Sequence, residues 1–255
     1  MLYYYMVRYN NIIHRLGAKD NDLKLFKHLL PLDVKIVVEP FGGSFAIIKH
    51  FYKDTNKYTF HINDNDENLY YTYLHYEDLI NEYKKLCHTF INEFGSVSMG
   101  MEEHFNGLTH IHPKLKIYMH KTFFIRCKMF KATKSFNYNP IERDILDVGI
   151  LSDFDYTHIF NIYRNNEDAF LFLDPPYLFS DNNNYASQVR DTDMTQIIVD
   201  IFRFIKTCKC KVMLIINKLN LLQELFKKYL KGEYLKIYQI GKKKSYHLVI
   251  TNYNI

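Results

Sequence analysis

A chain of 255 residues is long enough for one large α/β domain with a smaller insertion and too short for two full catalytic domains. Its 47% hydrophobic and 24% charged residues exclude a disordered or fibrous protein. Apolar runs such as Val212 to Ile216 are too short to cross a bilayer, and Met1-Leu2-Tyr3-Tyr4-Tyr5 lacks the pattern of a signal peptide, so a soluble, intracellular protein is expected. The net charge of +5 permits a polyanionic partner without requiring one.

In chain order, Val34 to Val38 is a β-branched run that reads as a buried strand feeding the turn Glu39-Pro40-Phe41-Gly42-Gly43-Ser44. A helix from Phe45 to Tyr52 is predicted next. A second strand, Tyr58 to Ile62, closes on Asn63-Asp64-Asn65-Asp66, and Leu69 to Phe90 has helical length and spacing. The next strand, Val148 to Leu151, comes much later than one crossover helix requires. A small, mainly helical module is therefore expected at 71–144, inserted into a main domain of 1–70 and 145–255.

From His104 to Ile141 the sequence contains no Asp or Glu. It carries Lys114, Lys116, Lys121, Arg126, Lys128, Lys131 and Lys134 interleaved with aromatic residues. Basic side chains suit phosphates and aromatic rings suit unstacked bases, so the module is expected to bind nucleic acid. The plainer alternative is a small aromatic core with a solvated lysine face.

After that module the alternation resumes. Ser152-Asp153-Phe154 follows the third strand, Asp174 follows Ala169 to Leu173, and Asn217 follows Val212 to Ile216. Helices are predicted over Met194 to Thr207 and Asn220 to Leu230, and Tyr234–Ile240 with Tyr246–Tyr253 form a terminal antiparallel hairpin. The fold class expected is α/β: a Rossmann-like sheet with helices on both faces. Ligands of open α/β sheets gather at the carboxyl ends of the strands, so Glu39, Asp64, Asp153, Asp174 and Asn217 should share one cleft. Cys87, Cys127, Cys208 and Cys210 show no Cys-x-x-Cys spacing, and no metal site is expected.

The strand exit Asp174-Pro175-Pro176-Tyr177 is the most chemically specific element. Two successive prolines fix two φ angles and remove two backbone donors, so the chain leaves the sheet in one stiff conformation. Such a loop presents the Asp174 carboxylate and the Pro175 carbonyl as converging acceptors beside the Tyr177 ring. That arrangement suits an aromatic amine.

Together these elements resemble the Dam-type DNA adenine methyltransferases, over most of the chain apart from the insertion. His14-Arg15-Leu16-Gly17-Ala18-Lys19 is similar to the family's amino-terminal Trp-Ala-Gly-Gly-Lys element, with Ala for one Gly and Leu for the aromatic. Glu39 to Ser44 resembles its Glu-Pro-Phe-x-Gly-x-Gly loop, with Phe45 where a later glycine is usual. The resemblance implies a Rossmann-like methyltransferase sheet, S-adenosylmethionine as cofactor, and adenine N6 in DNA as acceptor. It further implies cofactor contacts from Gly17, Ala18, Lys19, the 39–44 loop, Asp64, Asn65, Asp153, Phe154 and Asp174. Catalysis would fall to Asp174, Pro175, Pro176 and Tyr177, on an adenine flipped out of the helix. Segment 178–190, rich in Asn and Ser, reads either as a loop that closes over the base or, equally, as an idle surface loop, and Arg190 at its end is a candidate nucleic-acid contact. An RNA substrate, a non-catalytic subunit of the same fold, and methylation of a glutamine or other small amine remain open at this point, as does a monomer or a homodimer. The abundance of Asn, Lys, Ile and Tyr suits an AT-rich genome such as that of a virus.

Overall fold

A computed structural model describes residues 13, 19–52, 57–94, 105, 107–119, 140–177, 194–237 and 244–254, with the backbone alone for 87–94. Seven strands form one mixed sheet: β1 Ile36–Glu39, β2 Thr59–Asn63, β3 Ile150–Ser152, β4 Ala169–Leu173, β5 Lys211–Asn217, β6 Leu230–Ile237 and β7 Lys244–Thr251. Their order is β3-β2-β1-β4-β5-β7-β6. The first five are parallel, and β7 inserts antiparallel between β5 and β6. Connections run outward from β1 on one side and from β4 on the other, so the strand order reverses between these two neighbours. The crevice expected of such a sheet lies at their carboxyl ends.

Both faces are covered, and β4 shows how the sequence achieves this. All five of its side chains are buried, because alternate residues serve opposite layers. Phe170 and Phe172 join Val37, Phe60, Ile62, Met213 and Ile215 on one face, under Ile47, Ile48, Phe51, Tyr73, Leu79, Ile80 and Ile145. Ala169, Leu171 and Leu173 join Val212, Leu214 and Ile216 on the other, under Ile159, Phe160, Ile197, Ile201 and Phe204. Each fully buried side chain of this size contributes about 1.5–3 kcal/mol. Phe105, Ile111, Leu115, Tyr118 and Met119, from the acid-free stretch, belong to the first of these clusters.

Several element boundaries differ from the sequence reading. The helix expected over Leu69 to Phe90 is two helices, Glu67–Leu74 and Tyr76–Phe94, parted at His75. His75 has non-helical dihedrals of φ −117° and ψ 39°. The turn leaves Leu74 exposed and points Tyr76, Leu79, Ile80, Tyr83 and Leu86 at the core. Val148 ends the helix Pro140–Val148 instead of opening β3, because the period of Ile141, Ile145 and Leu146 outlasts the short apolar run that looked like a strand.

The last helix stops at Leu225 and gives way to a 3-10 turn, Lys227–Tyr229. The first strand of the hairpin accordingly begins at Leu230, four residues before Tyr234, with a bulge between Leu230 and Gly232. A helix that the sequence reading did not single out, Tyr156–Tyr163, joins β3 to β4 and is capped by the Asp155 side chain, which accepts from Thr157 N–H. No helix among the described residues is long and apolar enough to cross a membrane.

Candidate active site

The glycine-bearing turn after β1 is shaped by three steric facts. Gly42 is buried, and a Cβ there would lie 2.7 Å from Ile62 Cγ2 and 3.0 Å from the Asn63 carbonyl, so only glycine lets the turn lie against β2. Gly43 has φ of 51°, a conformation open to glycine at little cost. Phe45, where the family resemblance places a further glycine, takes φ 40° and ψ 48°. The left-handed backbone is therefore kept while the side chain goes into the core, fully buried and edge-on to Tyr73 at 5.9 Å. Left-handed geometry costs an ordinary residue about 1–2 kcal/mol, which burial of a phenyl ring offsets.

Glu39, at the end of β1, is buried, and its Oε1 accepts from Ile47 N–H at 3.0 Å and Ile48 N–H at 2.8 Å. It therefore caps the helix Ala46–Phe51, whose own N-cap residue, Phe45, offers no side-chain oxygen. Burial pushes the Glu39 carboxyl up to about 8, against the opposing pull of these N–H groups and of Lys49. Asp64 Oδ2 accepts from Gly43 N–H at 2.9 Å and its Oδ1 from Asp66 N–H at 3.1 Å, while Tyr73 donates its hydroxyl to the Gly43 carbonyl at 2.6 Å. The turn is thus held from β2 and from the helix that follows it. Asn65 is exposed beside it.

Asn63 has no exposed surface and all its hydrogen-bonding capacity is used. Nδ2 donates to the Pro40 carbonyl at 3.0 Å and the Phe154 carbonyl at 2.9 Å, and Oδ1 accepts from Ser152 Oγ at 2.6 Å and Phe154 N–H at 2.9 Å. One side chain therefore ties the loop after β1 to the loop after β3. Behind it, His61 contacts Ser152 Oγ at 2.8 Å and the Tyr163 hydroxyl at 2.9 Å. Burial lowers the His61 imidazole to about 4, so it is neutral. Since Ser152 gives its proton to Asn63, His61 Nε2 donates to Ser152 and Nδ1 accepts from Tyr163. This clamp leaves Asp153 exposed and the Phe154 ring 44% exposed at the cleft, the ring edge-on to His158. Phe41 stacks on Tyr156 alongside.

Across the reversal point, Asp174 follows β4, with Pro175 buried and Pro176 and Tyr177 half-buried. Both Asp174 oxygens accept from Lys19 Nζ, at 2.6 Å and 2.5 Å, and Oδ1 also accepts from the Tyr177 hydroxyl at 3.1 Å. The Lys19 ammonium lies 5.3 Å from the Tyr177 ring centroid. Lys19 is only 3% exposed. Burial depresses its pKa, and repulsion from Lys236 adds to this, against attraction to Asp174 and Asp22. The next residue, Asp20, accepts from Ser44 Oγ at 3.3 Å and pairs with Lys49 at 2.9 Å, joining the Asp174 cluster to the glycine turn.

The sequence reading missed the groups behind Asp174. His247 Nδ1 lies 3.1 Å from the Tyr177 hydroxyl, and Lys236 Nζ lies 2.6 Å from Asp22 Oδ2. The available signal was a histidine at an inward-facing position of a strand, just before the apolar run Leu248-Val249-Ile250.

Of the expected phosphate-binding residues, Lys114 pairs with Glu67 at 3.0 Å, and Lys116 donates to the Leu108 carbonyl at 2.5 Å. Lys121, Arg126, Lys128, Lys131, Lys134 and Arg190 lie outside the described residues, as do Gly17, Ala18 and the segment 178–190. No group of three or more metal-ligating side chains is gathered among the described residues.

Fold and site together define a Rossmann-like α/β protein, its seven-stranded mixed sheet consistent with a methyltransferase, with Glu39 at the end of β1 and Asp174 directly after β4, the two strands between which the order reverses. Over an alignment of 271 residues, spanning 93% of this chain and 97% of the relative, it is 26% identical to the Type II methyltransferase M.CviBI of Paramecium bursaria Chlorella virus NC1A. No family model matches the chain.

Proposed function

We propose that this protein transfers a methyl group from S-adenosylmethionine to the N6 amino group of adenine in DNA. The observation that carries the reading is the seating of the Asp174 carboxylate at the end of β4, beside β1 where the strand order reverses, with side-chain partners, Lys19 and Tyr177, among the described residues. Similarity to a Type II methyltransferase along nearly the whole chain supports the same reading.

The residues at the cleft fit the cofactor. An exposed phenyl ring at Phe154 and an exposed carboxylate at Asp153 suit a purine with its amino group. Asp64 and Asn65, directly after β2, suit a ribose diol. Lys19 suits a carboxylate, and Glu39 with the turn from Pro40 to Ser44 suits an ammonium group. Gly17 and Ala18, which precede Lys19 in the sequence, are proposed contacts of the same part of the cofactor. When bound, S-adenosylmethionine supplies a methyl group already activated on a sulfonium.

The chain's own part is to orient and activate the amine. The amino nitrogen of adenine is a poor nucleophile because its lone pair is delocalised into the ring. Asp174 and the Pro175 carbonyl accept its two hydrogens and favour a tetrahedral nitrogen, stabilising the positive charge that develops there. Both Asp174 oxygens carry Lys19 in this structure, so the incoming amine replaces the ammonium as partner. The flexible lysine stem allows that exchange. Tyr177 offers a ring to the extruded base, and Lys114, Lys116, Lys121, Arg126, Lys128, Lys131, Lys134 and Arg190 are the proposed phosphate contacts.

The test is transfer of labelled methyl groups to matched DNA and RNA oligonucleotides, with the modified nucleoside identified by mass. N6-methyladenine in DNA is expected. With Asp174→Ala, turnover should fall at least about 10³-fold while S-adenosylmethionine still binds in a calorimeter. Methylcytosine as product, a preference for RNA, or near-native turnover by the variant would overturn the reading.

A further inference from the structure

We propose that His247 is a positioning residue that holds the Tyr177 hydroxyl against the Asp174 carboxylate. The inference rests on the methyl-transfer reading and extends it to a residue on β7, on the far side of β5 from Asp174.

The polarity of the contacts follows from counting protons. Tyr177 has one hydroxyl proton, which goes to Asp174 Oδ1 at 3.1 Å. The 3.1 Å contact between the same oxygen and His247 Nδ1 therefore needs its proton from the imidazole, so Nδ1 carries hydrogen and Nε2 is bare. His247 has no exposed surface, and among the described residues its Nε2 finds no hydrogen-bond partner. A buried, unanswered nitrogen is a cost that an apolar residue at the same place would avoid, and nothing in the packing requires it. What the histidine provides is the contact through Nδ1. The His247 ring has Tyr234 at 5.2 Å, tilted by 30°, and Tyr177 edge-on at 5.1 Å, and these two contacts fix the direction of the Nδ1–H.

A role as proton acceptor is a poorer fit. Burial, with Lys19 and Lys236 nearby, pushes the His247 imidazole down to about 3, so it stays neutral and cannot store a proton released by an amine. A neutral donor fixed behind Tyr177 acts on geometry: it orients the phenol, and through it the carboxylate that meets the substrate.

The experiment compares the native chain with His247→Leu and His247→Asn, the latter keeping an N–H close to the position of Nδ1. His247→Leu is expected to lower kcat by about tenfold to a hundredfold, with KM for S-adenosylmethionine unchanged and Tm no lower than native. His247→Asn should recover most of that loss. Nitrogen-15 NMR of histidine-labelled protein, with His247 assigned from the His247→Asn spectrum, should give Nδ1 protonated and Nε2 bare, with the Nδ1 signal moved by Tyr177→Phe. Native kcat in His247→Leu, a loss confined to Tm, or a proton on Nε2 would overturn the proposal. A native chain that transfers no methyl group at all would instead remove the reading beneath it, while the NMR result still decides whether the contact exists.

Discussion

The two sides of the cleft answer their polar groups differently. On the β3-β2-β1 side, Glu39, Asp64 and Asn63 are met largely by main-chain groups: Ile47, Ile48, Gly43, Asp66 and Phe154 supply N–H groups, and Pro40 and Phe154 supply carbonyls. On the β4-β5-β7-β6 side, Asp174, Lys19, Tyr177, His247, Asp22, Tyr234 and Lys236 are met by one another's side chains. A main-chain partner cannot leave without unfolding a loop, whereas a side-chain partner can turn aside for a ligand. Residues of one chemical type therefore act as framework on one side and as exchangeable contacts on the other. Substitutions on the first side should register in stability, and on the second in turnover.

The largest stability effect is expected at Asn63. Asn63→Ala removes four hydrogen bonds, leaves the Ser152 hydroxyl to His61 alone, and takes away the Asn63 partner of the buried Pro40 carbonyl and of the part-buried Phe154 N–H and carbonyl. A loss of about 3–5 kcal/mol follows, or a fall in Tm of about 10 °C in a chain of this size. Thermal unfolding followed by circular dichroism checks it. A loss under about 1 kcal/mol would mean that the loops after β1 and β3 hold themselves, and the first half of the comparison would fail.

Much of this arrangement was legible in the sequence, for physical reasons that also mark where legibility ended. A buried parallel strand leaves a short β-branched or aromatic run with a polar residue at its end, so the core of each parallel strand could be placed and Glu39, Asp64, Asp153 and Asp174 fell at strand ends. Partners far apart in sequence leave no such mark. Nothing local indicates that Lys19 meets Asp174, 155 positions away, or that Asn63 grips Phe154, 91 positions away. Glu39 illustrates a subtler gap: its place at the end of β1 could be read, but its use as a cap for Ala46–Phe51 depends on Phe45 lacking a capping oxygen. The break at His75 was hidden because both helices carry apolar residues at helical spacing, and a single residue with ψ 39° leaves that pattern intact.

Glu39 sharpens the comparison through pH. Its carboxyl is raised from 4.5 to about 8, so its protonated form suits the folded state. The contribution is fully present below pH 4.5 and is lost as the pH rises through about 8. Glu39→Gln keeps an oxygen for Ile47 and Ile48 and never ionises. Between pH 5 and pH 9 the variant should therefore gain on the native chain by up to a few kcal/mol, as measured by denaturant unfolding. His61 and His247, lowered to about 4 and about 3, pull native stability the other way below pH 6.5, and they cancel in the difference between the two proteins. A difference that stays flat with pH would show that Glu39 is not a buried framework acid.

The smallest effect is expected at Lys19, where its size decides the matter. Lys19→Met removes a strong ion pair, yet it also removes the cost of burying an ammonium and its repulsion from Lys236. Methionine fills much the same space with an unbranched, adaptable chain. Asp174 is not stranded, because 21% of its side chain remains exposed to water and it keeps the Tyr177 hydroxyl. The opposing contributions leave Tm within about 3 °C of native, although a side chain 3% exposed has been replaced. S-adenosylmethionine affinity in the same variant should fall about tenfold, since the proposed partner of the cofactor carboxylate is gone. A loss of stability as large as that of Asn63→Ala would make the Lys19–Asp174 pair framework too, and the two sides of the cleft would no longer differ in kind.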